Sequence, residues 1–248
     1  MRVLSYNIHR GFGLDNQYDL QRVVDVIESQ NPDIICLQEV ERFVPHSRND
    51  DQPKILAEQI NSHDSRFQAN VFLKKGTWGN QILTRWDIEA YFDIDLRYPK
   101  KRKQRSAQVA RIQTPEGLLQ MVNVHLGLNE RERHWQARTL LSHDHLDPVL
   151  PTLIVGDFND WRNTLPKASF AEFDFVFHTH PISRFRSFPA WLPMGSLDRA
   201  FTRGSFSVLK PHVVRSKLAK AASDHLPLVV DFHLDEHHPL HPDSEAIP

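Results

Sequence analysis

Two distant stretches of the chain share one arrangement. In the first, Arg2-Val3-Leu4-Ser5-Tyr6-Asn7-Ile8 alternates as a strand does, and Leu20, Val23, Val24 and Ile27 then recur at helical spacing before Asn31-Pro32. The apolar run Asp33 to Leu37 follows and closes in Gln38-Glu39-Val40. In the second, residues 118 to 126 read as a strand carrying Asn123-x-His125, and Asn129 with Glu132 caps a helix through about Leu146. Residues 151 to 155 then form a short buried strand ending in Gly156-Asp157-Phe158-Asn159. Strand, helix, strand with polar residues at the strand ends is how α/β folds build sites, and two copies imply two similar layers whose strand ends face each other. The identity between the halves is too low for a sequence repeat, and strand direction is left open.

The remaining segments add strands without breaking the pattern. Residues 41 to 52 read as a loop and 53 to 60 as a short helix, with strand-like runs at 67–73, 80–84 and 88–94. A hairpin pairs 107–112 with 118–126 across Thr114-Pro115-Glu116-Gly117. Aromatic-rich pieces at 170–177 and 185–191 precede strands at 197–202, 206–214 and 226–234. Residues 235–248, rich in His, Pro and acid, read as a disordered tail, so the expectation is one domain over 1–234.

With 248 residues, 40% of them hydrophobic and 25% charged, the chain can bury a core without staples. A formal net charge of −1 excludes a molecule drawn onto nucleic acid by its overall field, so polyanion binding would need a local patch such as Arg97 to Arg105. That run reads equally as a phosphate-binding loop or a solvated basic loop. The only cysteine, Cys36, sits in an apolar run and packs as a small hydrophobe. No secretory pattern or membrane-length apolar run is present, and the expectation is a cytoplasmic monomer. Trp135, Trp161 and Trp191 could stack on a base or line a lipid groove, but core packing is the default expectation for each.

The polar residues at strand ends are Asn7, Glu39, His125, Asp157, Asn159, Asp198 and the pair Asp224-His225. Each alone has an ordinary explanation: a turn residue, a solvated acid, an Asx-turn after Gly156, a loop ion pair of Asp198 with Arg199. Together they form a set of carboxylate and amide oxygens that suits a hard cation such as Mg²⁺ or Mn²⁺ better than zinc. Two histidines beside that set can stabilise or protonate a phosphate oxygen.

The ordered series Ser-Tyr-Asn-Ile-His (5–9), Leu-Gln-Glu-Val (37–40), Gly-Asn-Gln-Ile-Leu-Thr-Arg (79–85), Asn-Val-His-Leu (123–126), Gly-Asp-Phe-Asn (156–159), Leu-Asp-Arg-Ala-Phe (197–201) and Ser-Asp-His-Leu-Pro (223–227) resembles the endonuclease/exonuclease/phosphatase family, the deoxyribonuclease I-like fold. Within it, His-Leu-Gly-Leu (125–128) and Gly-Asp-Phe-Asn-Asp-Trp (156–161) are most similar to short bacterial members. The resemblance implies an α/β four-layer sandwich, two central mixed β-sheets flanked by helices, with the site at one rim. It implies Glu39 as main ligand of Mg²⁺ or Mn²⁺, with Asn7 and Asp224 nearby as direct or water-mediated ligands. Asp157 would activate the attacking water, helped by Asn159. His225, held by Asp198, would stand against the scissile phosphate, and His125 would donate to a non-bridging oxygen.

The activity so implied is metal-dependent hydrolysis of a phosphodiester or phosphomonoester by in-line attack of water. One metal and two are both compatible with the residues. The substrate, whether small molecule, phospholipid or nucleic acid, stays open because function belongs to loops grafted on the scaffold. The alternative is an endo- or exonuclease in which Arg10 and residues 97–105 track the backbone. A non-catalytic binding protein on the same scaffold ranks below both, since every matched position keeps the expected residue type.

Overall fold

The computed structural model describes residues 1–99, 104–208 and 210–235. The expected tail from residue 236 onward lies outside the described residues, as do residues 100–103 of the basic run. The first unit is β1 (Arg2–Asn7), α1 (Leu20–Gln30) and β2 (Ile34–Arg42), followed by α2 (Gln52–Gln59), β3 (Asp64–Phe72), β4 (Thr77–Thr84) and β5 (Ile88–Asp95). The second is β6 (Ser106–Thr114), β7 (Gly117–His125), α3 (Glu130–Leu141) and β8 (Thr152–Asp157). The chain closes with β9 (Val176–Phe177), β10 (Asp198–Arg203), β11 (Phe206–Val208), β12 (His212–Val213), α4 (Lys217–Ala222) and β13 (Leu228–Leu234). No helix of the described residues is long and apolar enough to cross a membrane.

Local chemistry sets these boundaries. The Asp19 carboxylate accepts the Gln21 N–H to start α1, and Asn31 ends it in the left-handed conformation at φ 48°. Asn129 caps α3 by accepting from Arg131 and Glu132 N–H, as its spacing predicted, but the helix stops at Leu141, short of Leu146. There the Ser142 hydroxyl bonds back to the Arg138 carbonyl. The expected strand over 206–214 splits into β11 and β12 around Pro211, which has no N–H to give a ladder. Helix α4, capped by Ser216, carries too little apolar periodicity to be read from sequence.

Among the described residues the strands form two sheets, ordered β11-β13-β1-β2-β4-β3, with β12 also on β13, and β5-β6-β7-β8-β10-β9. Strands β1 and β2 are parallel, as are β7 and β8, each pair joined through its helix. Read along β13-β1-β2-β4-β3 and β6-β7-β8-β10-β9, both sheets alternate antiparallel, parallel, antiparallel, antiparallel. The echo seen in the sequence is therefore an echo of topology.

Alternation along the strands assigns the layers. Leu119, Met121, Leu153, Val155 and Ala200 join the core cluster that also takes in β1, β2 and α1. Their neighbours Val122, Val124, Ile154 and Phe201 join a second cluster with Ala137 and Leu140 of α3. The result is helix, sheet, sheet, helix. Between the sheets a buried amide network fixes their relation: Gln38 donates to Asn123 Oδ1 at 2.8 Å, and Asn123 Nδ2 donates to Leu37 O and Gln108 Oε1 at 3.0 and 2.9 Å. Such a buried network, its donors paired across the two sheets, resists sliding of one sheet over the other.

Gly156 lets β7 and β8 approach. Its φ is 144°, and a Cβ there would lie 2.0 Å from the Val124 carbonyl oxygen. Gly156→Ala should therefore cost about 2–4 kcal/mol in chemical denaturation. A denaturation midpoint equal to wild type would contradict that close approach.

Candidate active site

Strand register builds one edge of the site. In the β7–β8 pair His125 lies opposite Asp157, and in the β8–β10 pair Asp157 lies opposite Asp198, so three polar residues stand in a row across three strands. All three are buried. From the other sheet Asn7, the last residue of β1, donates through Nδ2 to Asp157 Oδ2 at 3.2 Å. The Ser223 hydroxyl donates to the Asn7 carbonyl at 2.8 Å and so ties the segment before β13 to the same rim.

His225 closes the row. Its Nδ1 lies 2.9 Å from Asp198 Oδ2, and its Nε2 lies 3.7 Å from Asp157 Oδ2, an oxygen also 3.5 Å from His125 Nε2. The Ser187 hydroxyl donates to the same Asp198 oxygen, and the Phe188 ring packs on the imidazole with centroids 4.7 Å apart. Burial alone would lower the His225 pKa. The charges of Asp198 and Asp157, with the Asp198 hydrogen bond, outweigh it and push the pKa up to about 10. Burial pushes Asp157 well above the usual carboxylate range, against the pull of His225 and with a further push from Asp198. At neutral pH His225 is an imidazolium between two carboxylates.

That charge is measurable. Because the folded pKa is raised, the imidazolium stabilises the fold fully below pH 6.5, and the contribution fades as pH climbs through about 10. In metal-free protein the His225 ring signals should show no titration between pH 6 and 8 by NMR, and Asp198→Asn should bring the titration down towards that window. A wild-type ring titrating at an ordinary imidazole pH would contradict the pairing.

Glu39 and Asp224 stand apart from this row. Glu39 occupies a β-bulge where the β2–β4 register shifts between Gln38 and Val40, with φ 58°. A bulky residue held there stores strain of about 1–3 kcal/mol, a frequent mark of a functional position. Its carboxylate accepts no hydrogen bond among the described residues, and its nearest cation is Arg10, with Nε 3.6 Å away. His9 and Arg10 also have positive φ, and Arg10 Nη2 meets His9 Nε2 at 2.9 Å. Asp224 is partly exposed, with Oδ1 4.0 Å from His9 Nδ1. Asn159, at φ 51°, donates its backbone N–H to Asp157 Oδ1 at 2.9 Å and its Nδ2 to Leu126 O at 3.1 Å. It braces Asp157 and the strand end beside it.

Three contributors were not singled out in the sequence. Ser187 and Phe188 come from an irregular segment with no periodic signal. Arg105, the buried end of the basic run, is 3% exposed, and its charge is felt by Asp157, Glu39 and Glu132. Burial lowers its pKa and those carboxylates oppose the change. Below the rim, buried Arg199 pairs with Asp160, 3.4 Å away, and donates to the Asp160 carbonyl, holding the loop after Asn159. Asp198 meets His225, as the family resemblance implies, and the ordinary alternative, a loop ion pair of Asp198 with Arg199, does not form.

Residues 4–225 match the sequence profile of the Endonuclease/Exonuclease/phosphatase family. The chain belongs to that family. A relative in Escherichia coli strain K12, the uncharacterized protein YbhP, is 32% identical over 94% of this chain and 96% of its own length. The crystal structure of an endonuclease/exonuclease/phosphatase from Beutenbergia cavernae superposes with a TM-score of 0.78 at 25% identity, covering 94% of this chain and 71% of the other. A mannosyl-6-phosphatase from Bacteroides thetaiotaomicron shares the fold with a TM-score of 0.71 at 19% identity, over 94% of this chain and 98% of the other. Members of this family hydrolyse phosphoester bonds on a deoxyribonuclease I-like sandwich, and the rim described here lies within the matched residues.

Proposed function

We propose that the chain hydrolyses a phosphodiester or phosphomonoester by in-line attack of water, with Mg²⁺ or Mn²⁺ as cofactor. The observation that carries this reading is the buried row His125, Asp157, Asp198 on one sheet, closed by His225 and Asn7 from the other. No simple core explains two carboxylates and two imidazoles buried together at strand ends.

Among the described residues no three His, Cys, Asp or Glu side chains converge as a complete metal cage. Mg²⁺ needs none, since it commonly binds through one or two carboxylates and keeps several waters. Glu39, strained, partly exposed and without a hydrogen bond, fits that mode, with Asp224 and the Asn7 amide as further oxygens. Bound there, the cation would neutralise charge on the phosphate oxygens and help the leaving oxygen depart.

The chain's own residues supply the remainder. Asp157, held by Asn7 and the Asn159 N–H, orients the attacking water and accepts its proton; its raised pKa suits that task near neutral pH. His225, kept cationic by Asp198, faces the phosphate as a fixed charge, and His125 donates to a non-bridging oxygen. Arg105 adds a buried guanidinium close enough to Asp157 and Glu39 to interact with their charges and able to meet an equatorial oxygen, which supports the phosphate-binding reading of the basic run over the solvated one.

Hydrolysis of p-nitrophenyl phosphate and bis-p-nitrophenyl phosphate, followed before and after chelation, tests the reading. Release should vanish with EDTA and return with Mg²⁺ or Mn²⁺. Release that is indifferent to the chelator would refute the metal-dependent reading.

A further inference from the structure

Trp161 and Trp191, expected in the core, are 53% and 63% exposed. Trp191 sits at the tip of a hairpin closed by an antiparallel bridge between Phe188 and Gly195. Met194 and Gly195 N–H donate to the Phe188 carbonyl, and Leu192 N–H donates to Pro189 O. Leu192 and Met194 are 51% and 58% exposed beside Trp191. Trp161 packs under the hairpin, against Phe188 and so close to Gly195 that a Cβ there would lie 2.8 Å from its ring. The hairpin is built and held, yet its apolar tip is exposed among the described residues.

Its root is the candidate active site. Leu226 N–H donates to Ser187 O at 2.9 Å and Ala190 N–H donates to Asp224 O at 2.7 Å, so both flanks of His225 are bonded to the hairpin. The Phe188 ring at the root of the hairpin packs on the imidazole.

Apart from Asp224, whose carbonyl accepts from Ala190, the charge carried by this segment is positive. From Phe175 to Leu197 the sequence has no Asp or Glu, and it carries Arg184 and Arg186, both exposed. Arg215 donates to the carbonyls of both. An exposed tip of Trp, Leu and Met preceded by exposed Arg184 and Arg186 suits insertion into the interface of an anionic bilayer, with apolar side chains entering about 5–10 Å. A nucleobase would call for stacked rings in a groove, whereas two of the three tip side chains are unbranched or aliphatic.

We propose that this hairpin docks the protein on an anionic phospholipid surface. Docking there would set the rim facing the headgroup layer, so the substrate of the site would be a membrane-borne phosphoester; that second step rests on the function proposed above, and the docking does not.

The test uses the full chain with EDTA present, sedimented with phosphatidylglycerol vesicles or with phosphatidylcholine vesicles. Wild type should partition onto phosphatidylglycerol at least about tenfold better than a Trp191→Ser, Leu192→Ser, Met194→Ser variant, and raising ionic strength should weaken its binding. Because the three side chains are exposed, the variant should keep the wild-type melting midpoint and hydrolyse bis-p-nitrophenyl phosphate with Mg²⁺ at the wild-type rate. Equal sedimentation of the two proteins would overturn the proposal, as would binding of a single-stranded oligonucleotide lost in the variant while vesicles are ignored. Vesicle binding without any hydrolysis would strike the proposed function and leave docking standing. Hydrolysis without vesicle binding would do the reverse.

Discussion

Asp157→Asn should lower the turnover of a phosphoester substrate by roughly a thousandfold, within the range that loss of a positioned base costs. The substitution keeps shape and removes both the proton acceptor and the charge. Asp157 accepts from Asn7 Nδ2 and the Asn159 N–H and lies near the Nε2 atoms of His125 and His225, so four donors converge on one carboxylate. An amide NH₂ in that place would face a donor wherever it turned. The charge loss also removes one of the two carboxylates that hold His225 protonated, so its titration should move down. The variant should still fold, because relief from burying the Asp157 charge offsets part of the cost of the donors that face the amide. A variant that unfolds at wild-type temperature and turns over at a wild-type rate would remove Asp157 from the chemistry.

Glu39→Gln should raise the Mg²⁺ concentration needed for half-maximal activity by at least about 100-fold, since even residues one step behind a ligand cost 10–100-fold when lost. The reasoning starts from the backbone. Nothing in packing requires a glutamate at φ 58° on a bulge, where glycine would sit without strain. Its carboxylate meets no N–H among the described residues and only Arg10 at 3.6 Å, a separation longer than a hydrogen bond. Glutamine preserves the shape and the bulge and removes the charge that would hold a cation. Isothermal titration with Mn²⁺ reads the same loss without substrate. Unchanged metal affinity would shift the cation site away from the bulge.

Much of this rim was legible because each of its residues follows or enters an apolar run. Asn7, His125 and Asp157 end strands, Asp198 begins one, and Asp224-His225 precede one, so period-two patterning alone put them at a layer edge. The topological echo was legible for the same reason, although the parallel direction of β1–β2 and β7–β8 needed coordinates. What stayed hidden depends on long-range packing. Arg105 belongs to a charge run, and nothing local separates the one buried guanidinium from its solvated neighbours. Ser187 reaches Asp198 from a segment without periodicity. The two exposed tryptophans defied their composition because a hairpin bonded to the site lifts one of them clear of the core and leans on the other. The left-handed backbone of Glu39 arises from a register shift between two strands, which a single sequence does not print.

The central claim is that residues from two sheets form one hydrolytic centre for phosphoesters. A panel of oligonucleotides, phospholipids, inositol phosphates, sugar phosphates and nucleotides, offered in parallel to wild type and Asp157→Asn with Mg²⁺ present, tests it most directly. Product should appear from at least one class with wild type and fall by roughly a thousandfold with the variant. Cleavage that persists undiminished in Asp157→Asn, or no cleavage of any class by wild type, would contradict it.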